Sequence, residues 1–258
     1  MAPLDPLSTF RLDDRVAIVT GASSGLGARF ARVLDAAGAR LALAARRGDR
    51  LEALANDLRD ATAIACDLGH ADQAEALVAE TIERFGRVDV VVNNAGTFEK
   101  APAVDEPLDR FREVIDVNLV APFVLARTAA RTMIESATGG SIVNISSIWA
   151  VVGVGQIPEA SYAASKGALV SLTRELAAQW ARRGIRVNSL APGWFRSEMT
   201  EGTMFGDEQA ERWIRNRTPI GRGGEEHELD GALLFLASGA SSYVTGQVLC
   251  VDGGWTAV

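Results

Sequence analysis

Two side chains in this 258-residue sequence have a spacing suited to proton transfer. Tyr162 and Lys166 are four residues apart in a stretch, Glu159 to Arg183, that reads as helix, so they project from one face a turn apart. A free phenol, with a pKa near ~10, is a poor base at neutral pH. A neighbouring ammonium favours the phenolate and is expected to lower that value. So tuned, a tyrosine can protonate a developing alkoxide or deprotonate an alcohol. Ser147, at the end of an apolar run and 15 residues before Tyr162 across a glycine-rich loop, offers a hydroxyl to hold a substrate oxygen. Asn118 adds a further hint. Pro122, four residues on, lacks the N–H that would bond the Asn118 carbonyl in a regular helix, so a kink is expected there. A water held at Asn118 could connect Lys166 to solvent, or the proline could simply bend a long helix around the core.

A second feature is a phosphate-cradling turn. An apolar run ends in Gly21-Ala-Ser23-Ser24-Gly25-Leu26-Gly27, and helical periodicity follows. Glycines let the backbone approach a pyrophosphate closely, and the helix N-terminus offers free N–H groups. The spacing is GxxxGxG rather than GxGxxG, so its weight comes from its place after the first strand of a βαβ unit. The end of the second strand carries no acid for the ribose hydroxyls of NAD(H). It reads Leu43-Ala-Ala-Arg46-Arg47, which favours NADP(H). Arg46 is the first candidate for the 2′-phosphate and Arg47 the second; both could instead merely begin a solvated helix. Asp67 is placed to meet the adenine or to cap a turn.

Composition narrows the function classes. Nearly half the residues are hydrophobic and the net charge is −7, with no basic stripe, which argues against a nucleic-acid partner. Cys66 and Cys250 lie in apolar runs and read as buried thiols. No secretory leader or membrane-length apolar run appears, so a cytoplasmic location is expected. His70 and His227 lack partners at ligand spacing, and no metal is expected.

The elements that must position these groups alternate. Short β-branched runs at Val16–Thr20, Arg40–Ala45, Thr62–Cys66, Val88–Val92, Ser141–Ser146, Ile185–Leu190 and Gln247–Val251 are separated by helical stretches such as Ala71 to Phe85. Strands apolar almost throughout imply a parallel sheet covered on both faces. The expected fold is α/β: one Rossmann-type doubly wound domain over 1–258, with a seven-stranded parallel sheet and helices on both sides. The least regular stretch, about 193–224, is rich in aromatic and Met residues and reads as a substrate lid or a partner interface.

Together these motifs closely resemble the short-chain dehydrogenase/reductase family over about Leu12 to Val258. They run in the family's order: the glycine turn, Cys66-Asp67-Leu68, Asn93-Asn94-Ala95-Gly96, Asn118, Ser147, Tyr162-Ala-Ala-Ser-Lys166, Pro192-Gly193 and Val251-Asp-Gly-Gly254. The resemblance implies a tetrad of Asn118, Ser147, Tyr162 and Lys166. Tyr162 would be the general acid/base, Ser147 the oxygen clamp, Lys166 the ribose ligand and Asn118 the holder of a relay water. Asn93, Ala95 and Gly96 would line the cofactor cleft with Asn94. Pro192, Gly193, Phe195 and Ser197 would pack on the nicotinamide and expose its pro-S hydride. The gap from Ser147 to Tyr162 is about two residues longer than is usual in the family, which leaves Ser146 open as the clamp. The resemblance also implies a homotetramer and a small carbonyl or alcohol substrate.

Trp149, Ile157, Trp194, Met199, Met204 and Phe205 are the expected substrate pocket, which suits an apolar ketone. The stretch from Trp213 to Arg222 and the Gly-Gly-Trp255 ending look more like the gluconate 5-dehydrogenase branch, for which Arg196 or Arg217 would meet a carboxylate. Reduction of a 3-oxoacyl carrier-protein thioester is a third reading, and a non-catalytic NADP(H) sensor a fourth.

Overall fold

The computed structural model describes residues 5–198, 200 and 204–258. Its strands are β1 (Val16–Thr20), β2 (Arg40–Ala45), β3 (Ala61–Ala65), β4 (Val90–Asn93), β5 (Gly140–Ile145), β6 (Ile185–Pro192) and β7 (Val248–Val251). Its α-helices are α1 (Gly25–Ala36), α2 (Gly48–Asn56), α3 (Ala71–Phe85), α4 (Leu108–Ile115), α5 (Ala121–Glu135), α6 (Ala160–Trp180), α7 (Glu208–Arg217) and α8 (Asp230–Ala237). All strand pairings are parallel, in the order β3-β2-β1-β4-β5-β6-β7.

The reason the strands read as unbroken apolar runs lies in β1. Val16 and Ile18 pack into one core with Leu77 and Val78 of α3, Leu125 and Met133 of α5 and Leu176 of α6. Their neighbours Ala17 and Val19 point the other way, into a second core with Phe30 and Leu34 of α1, Leu51 of α2 and Leu233 of α8. Side chains alternate across a strand, so a sheet covered on both faces must be apolar at every position.

The chain order reverses between β1 and β4, which both leave the sheet's centre but continue to opposite sides. At such a switch point the loops after the two strands diverge and leave a crevice at their carboxyl ends. Among the described residues no helix is long and apolar enough to cross a membrane.

Three local findings refine the expectations. The chain at 116–120 between α4 and α5 is a π-turn, not a simple kink: Pro122 has no N–H for Asn118, and the ladder widens by one residue. The described residues of 193–224 are less irregular than expected, because α7 lies among them with Asp207 capping it by accepting from Ala210 N at 2.8 Å. Strands β3 and β5 start one residue earlier than predicted and β4 two later. The end of β3 illustrates why: Cys66 N still donates to Ala45 O at 2.9 Å, so pairing outlasts the regular strand.

Candidate active site

The crevice is a cleft of about 940 Å³. Its floor is the turn from β1 into α1. Gly25 adopts φ +50°, in the left-handed region that favours glycine, and a methyl group at Gly27 would clash with the Gly21 carbonyl. Ser24 is the N-cap residue of α1, yet its side chain makes no capping hydrogen bond and the first turn holds no acid. The helix therefore presents uncapped N–H donors and a positive end to the cleft, the chemistry a pyrophosphate requires. Gly21, Ser23, Ser24, Gly25, Leu26 and Gly27 all line this floor.

The turn is held from behind by Thr20 and Asn94. Thr20 Oγ1 accepts from the backbone N–H groups of both Asn94 and Ala95 at 3.0 Å. Asn94 Nδ2 returns the tie, donating to Thr20 O at 2.9 Å. Asn94, Ala95 and Gly96 reach the cleft. Asn93, expected beside them, does not. It is buried one residue earlier on the strand, where it donates to Asn144 Oδ1 at 2.8 Å, because successive strand residues face opposite ways.

At one end of the cleft lie Arg46, Arg47, Asp67 and Leu68. Arg46 is exposed and, among the described residues, makes no hydrogen bond or ion pair. Arg47 is engaged: it donates to Ser23 Oγ at 3.1 Å, to Ser24 Oγ at 2.6 Å, and to both carboxylate oxygens of Glu198 at 2.9 Å. Asp67 lines the cleft while its Oδ1 accepts from Gly69 N at 2.9 Å in a tight turn.

The opposite wall carries Ser147, Tyr162 and Lys166. Ser146 also reaches it, but the Ser146 hydroxyl is committed to the sheet, 2.6 Å from Ser189 Oγ and 3.3 Å from Leu190 O. Ser147 is free of the sheet: its Oγ accepts from Trp149 N at 3.3 Å and it acts on the Tyr162 phenol, pulling its pKa down. Lys166 Nζ donates to Ile145 O at 2.8 Å and lies 5.6 Å from the centre of the Tyr162 ring. One of its three N–H bonds is thus used to aim it, leaving two to face the cleft. Asn118 lies fully buried behind them. Its amide spans the Thr97 backbone, accepting from N and donating to O at 2.8 Å each, and also donates to Ser165 Oγ at 3.0 Å.

The charge balance here differs from the expectation that Lys166 lowers the tyrosine. Burial pushes the Tyr162 phenol up to about 12, with the Ser147 hydroxyl pulling the other way and Glu159 adding a push upwards. Burial also drives Lys166 down to about 8. Removing both groups from water disfavours the charged form of each, and at 5.6 Å the pair does not offset that cost.

Pro192, Gly193, Phe195 and Ser197 join the wall as expected. Of the predicted substrate-pocket residues, the described ones, Trp149, Ile157, Trp194, Met204 and Phe205, do not line this cleft. Trp194 and Phe205 form a satellite core with Ile148, Ile214 and Trp255, and Trp149, Ile157 and Met204 pack against it. Ring contacts run from Trp213 and Trp255 through Trp194 to Trp149, at 5.0–5.5 Å between centroids, and Trp149 meets the Tyr162 ring edge-on at 6.2 Å. Large aromatic side chains bury more area against one another than against an open pocket. Met199 lies outside the described residues. Arg196 and Arg217 stay away from the cleft, the first paired with Glu211 at 3.5 Å and the second over the Trp213 ring at 5.0 Å.

A doubly wound sheet with a glycine-floored cleft at its switch point and a Tyr–Lys pair on the facing wall defines an oxidoreductase of the Rossmann type. The family model described as enoyl-(acyl carrier protein) reductase matches residues 21–256, and the chain belongs to the short-chain dehydrogenase/reductase family. Galactitol 2-dehydrogenase (L-tagatose-forming) of Cereibacter sphaeroides is 42% identical over 255 residues, which is 98% of this chain and 99% of that protein. Gluconate 5-dehydrogenase of Gluconobacter oxydans is 39% identical over 252 residues, 96% of each. The crystal structure of a gluconate 5-dehydrogenase from Burkholderia cenocepacia in complex with NADP and tartrate aligns with a TM-score of 0.92 at 38% identity, over 98% of this chain and all of that one.

Proposed function

We propose that this single-domain protein is an NADP(H)-dependent oxidoreductase that interconverts a ketone and a secondary alcohol, with Asn118, Ser147, Tyr162 and Lys166 as its working residues. The observation that carries the reading is the far wall of the cleft, which Ser147, Tyr162 and Lys166 line together, with Lys166 aimed by the Ile145 carbonyl. The nicotinamide supplies or accepts the hydride when bound. Tyr162, neutral at physiological pH, donates its proton to the alkoxide oxygen that Ser147 holds. Lys166 directs its remaining N–H bonds to the cofactor ribose and to the route by which Tyr162 is reprotonated. Asn118 fixes the Thr97 backbone behind it and holds the π-turn open where a relay water belongs.

The uncapped start of α1 fits the pyrophosphate, and Arg46 and Arg47 fit the 2′-phosphate; neither strand β2 nor its end offers a carboxylate for NAD(H). The NADP held by the Burkholderia gluconate 5-dehydrogenase agrees with this preference. Two thiols in no disulfide, Cys66 buried and pushed up to about 11, suit a cytoplasmic carbonyl reductase, and the family resemblance supports a homotetramer.

Substrate class is tested by following NADPH oxidation with aryl ketones, cyclic diketones, 5-ketogluconate and an acetoacetyl thioester. Turnover confined to one of these compounds assigns the substrate class, and turnover limited to the sugar acid would reject the apolar-ketone reading. Tight NADPH binding with no turnover on any of them would reject the enzyme in favour of a sensor.

A further inference from the structure

Glu198 stands on the segment leaving β6, over the glycine-rich turn: a side chain at Gly25 would meet Ser197 Cβ at 3.5 Å and Glu198 N at 3.8 Å. Its carboxylate takes both arms of the Arg47 guanidinium at 2.9 Å and one arm of Arg50 at 3.3 Å, and the Ser24 hydroxyl beside them also pulls its pKa down. That donor set holds the carboxyl down at about 2, so it is an anion at any physiological pH. A guanidinium fork binds carboxylate and phosphate with the same two-pronged geometry, and Arg47 is already braced over Ser23 and Ser24 at the head of α1. The carboxylate therefore occupies a site whose donors suit a phosphate.

We propose that Glu198 is a specificity-determining residue, an internal carboxylate that competes with the cofactor's 2′-phosphate for Ser24, Arg47 and Arg50 and so sets how far NADP(H) is preferred to NAD(H). The inference rests on the proposed placement of the 2′-phosphate at the Arg46–Arg47 end of the cleft. With Glu198 in place, Arg47 is neutralised and Arg46 is the open cation at that rim among the described residues. A phosphate monoester carries about −1.5 to −2 charges and three strong acceptors, against one charge on the carboxylate. The displaced carboxylate loses little, because its side chain is already 50% exposed and such ion pairs are weak in water. NAD(H) brings a neutral ribose hydroxyl to the same place and has no charge with which to displace Glu198. The carboxylate then stays, and accepts from the hydroxyl as an acid at the end of β2 would.

The test is a titration of NADPH and of NADH into wild type, E198Q and E198Q with Arg47→Ala. Energy transfer from the protein's tryptophans to the reduced nicotinamide reports binding without any turnover. E198Q is expected to bind NADPH about three- to fivefold more tightly, the range an exposed ion pair allows. Its NADH affinity should be unchanged or weaker, and Arg47→Ala should cancel the NADPH gain. Unchanged NADPH affinity in E198Q, or equal tightening of both cofactors, overturns the proposal. A wild type that binds NADH better than NADPH refutes the cofactor reading, but a selective NADPH gain in E198Q still upholds the competition. The two failures are therefore separable. Should E198Q unfold in a thermal scan, Glu198→Asp replaces it: its shorter arm loosens the fork, and the expected NADPH gain is smaller but still selective.

Discussion

The two sides of Tyr162 are built on opposite plans. Towards β1 and β2 lies an open cleft whose surface is mostly backbone, small side chains and uncapped N–H donors. Towards α7 and the C-terminal turn lies a closed cluster of four tryptophans in ring contact, with Trp194 Nε1 buried and, among the described residues, unpaired. A backbone-built surface keeps its shape whatever the neighbouring side chains are, so it suits a ligand of fixed structure. A surface of packed rings has no fixed shape beyond its packing, and an unpaired buried donor costs it stability. The contrast separates what the family fold supplies from what a particular substrate must select.

The sharpest way to break this contrast is at the boundary itself. Tyr162→Phe should lower kcat by about 10²–10⁴-fold, the usual contribution of a positioned acid, while NADPH affinity stays within about twofold. Steady-state kinetics with a binding titration check both halves. Loss of NADPH binding would show that Tyr162 belongs to the cofactor side as a structural post.

Next in size is Trp194→Ala. Its ring touches Trp149, Trp213 and Trp255 and is buried, so truncation should cost about 3–5 kcal/mol in denaturant unfolding. The cofactor side should barely register it, with NADPH affinity changed less than about twofold. An equally large fall in NADPH affinity would mean that the two sides are one cooperative unit.

The same contrast explains what could be read in advance. Strands β1 and β2 were legible to the residue because both faces are buried, which forces an apolar side chain at each position. The shared face of Tyr162 and Lys166 was legible because they lie one helix turn apart, and Pro122 announces the altered helix at Asn118 four residues away. What stayed hidden was tertiary. Glu198 meets Arg47 across 151 positions of sequence, and no local pattern announces such a pair. Thr20 holds the backbone N–H of Ala95, and Thr97 meets Asn118 through its own backbone; any residue type would offer those backbone groups. The aromatic stretch read differently: its residue types pointed to a pocket, whereas the described rings pack against one another, and the intervening α7 was hidden behind its charged face.

A smaller effect sharpens the cofactor side. Arg46→Ala removes an exposed, uncommitted cation from the cleft rim. The KM for NADPH should rise about tenfold, as the loss of one charge-assisted contact allows, and the KM for NADH by less than twofold. Equal changes would leave Arg46 a surface charge and move the phosphate wholly to Arg47.

The smallest effect concerns Glu159, three residues before Tyr162 and at the head of α6, where its side chain caps nothing. Burial raises its carboxyl to about 7, although Lys100 pulls the other way. In the unfolded chain the group ionises near the ordinary value of 4.5; in the folded protein it keeps its proton to about 7. Between those values the native state binds more protons than the unfolded one, so its contribution to stability, complete below about pH 4.5, is lost as the pH rises through about 7. Glu159→Gln cannot ionise and should flatten that decline in urea unfolding measured from pH 4.5 to 7.5. The substitution also removes a negative charge that pushes Tyr162 upwards, so the alkaline limb of the pH–rate profile should move to lower pH. A variant with the wild-type slope and an unmoved alkaline limb would place Glu159 in water, outside the boundary between cleft and aromatic cluster.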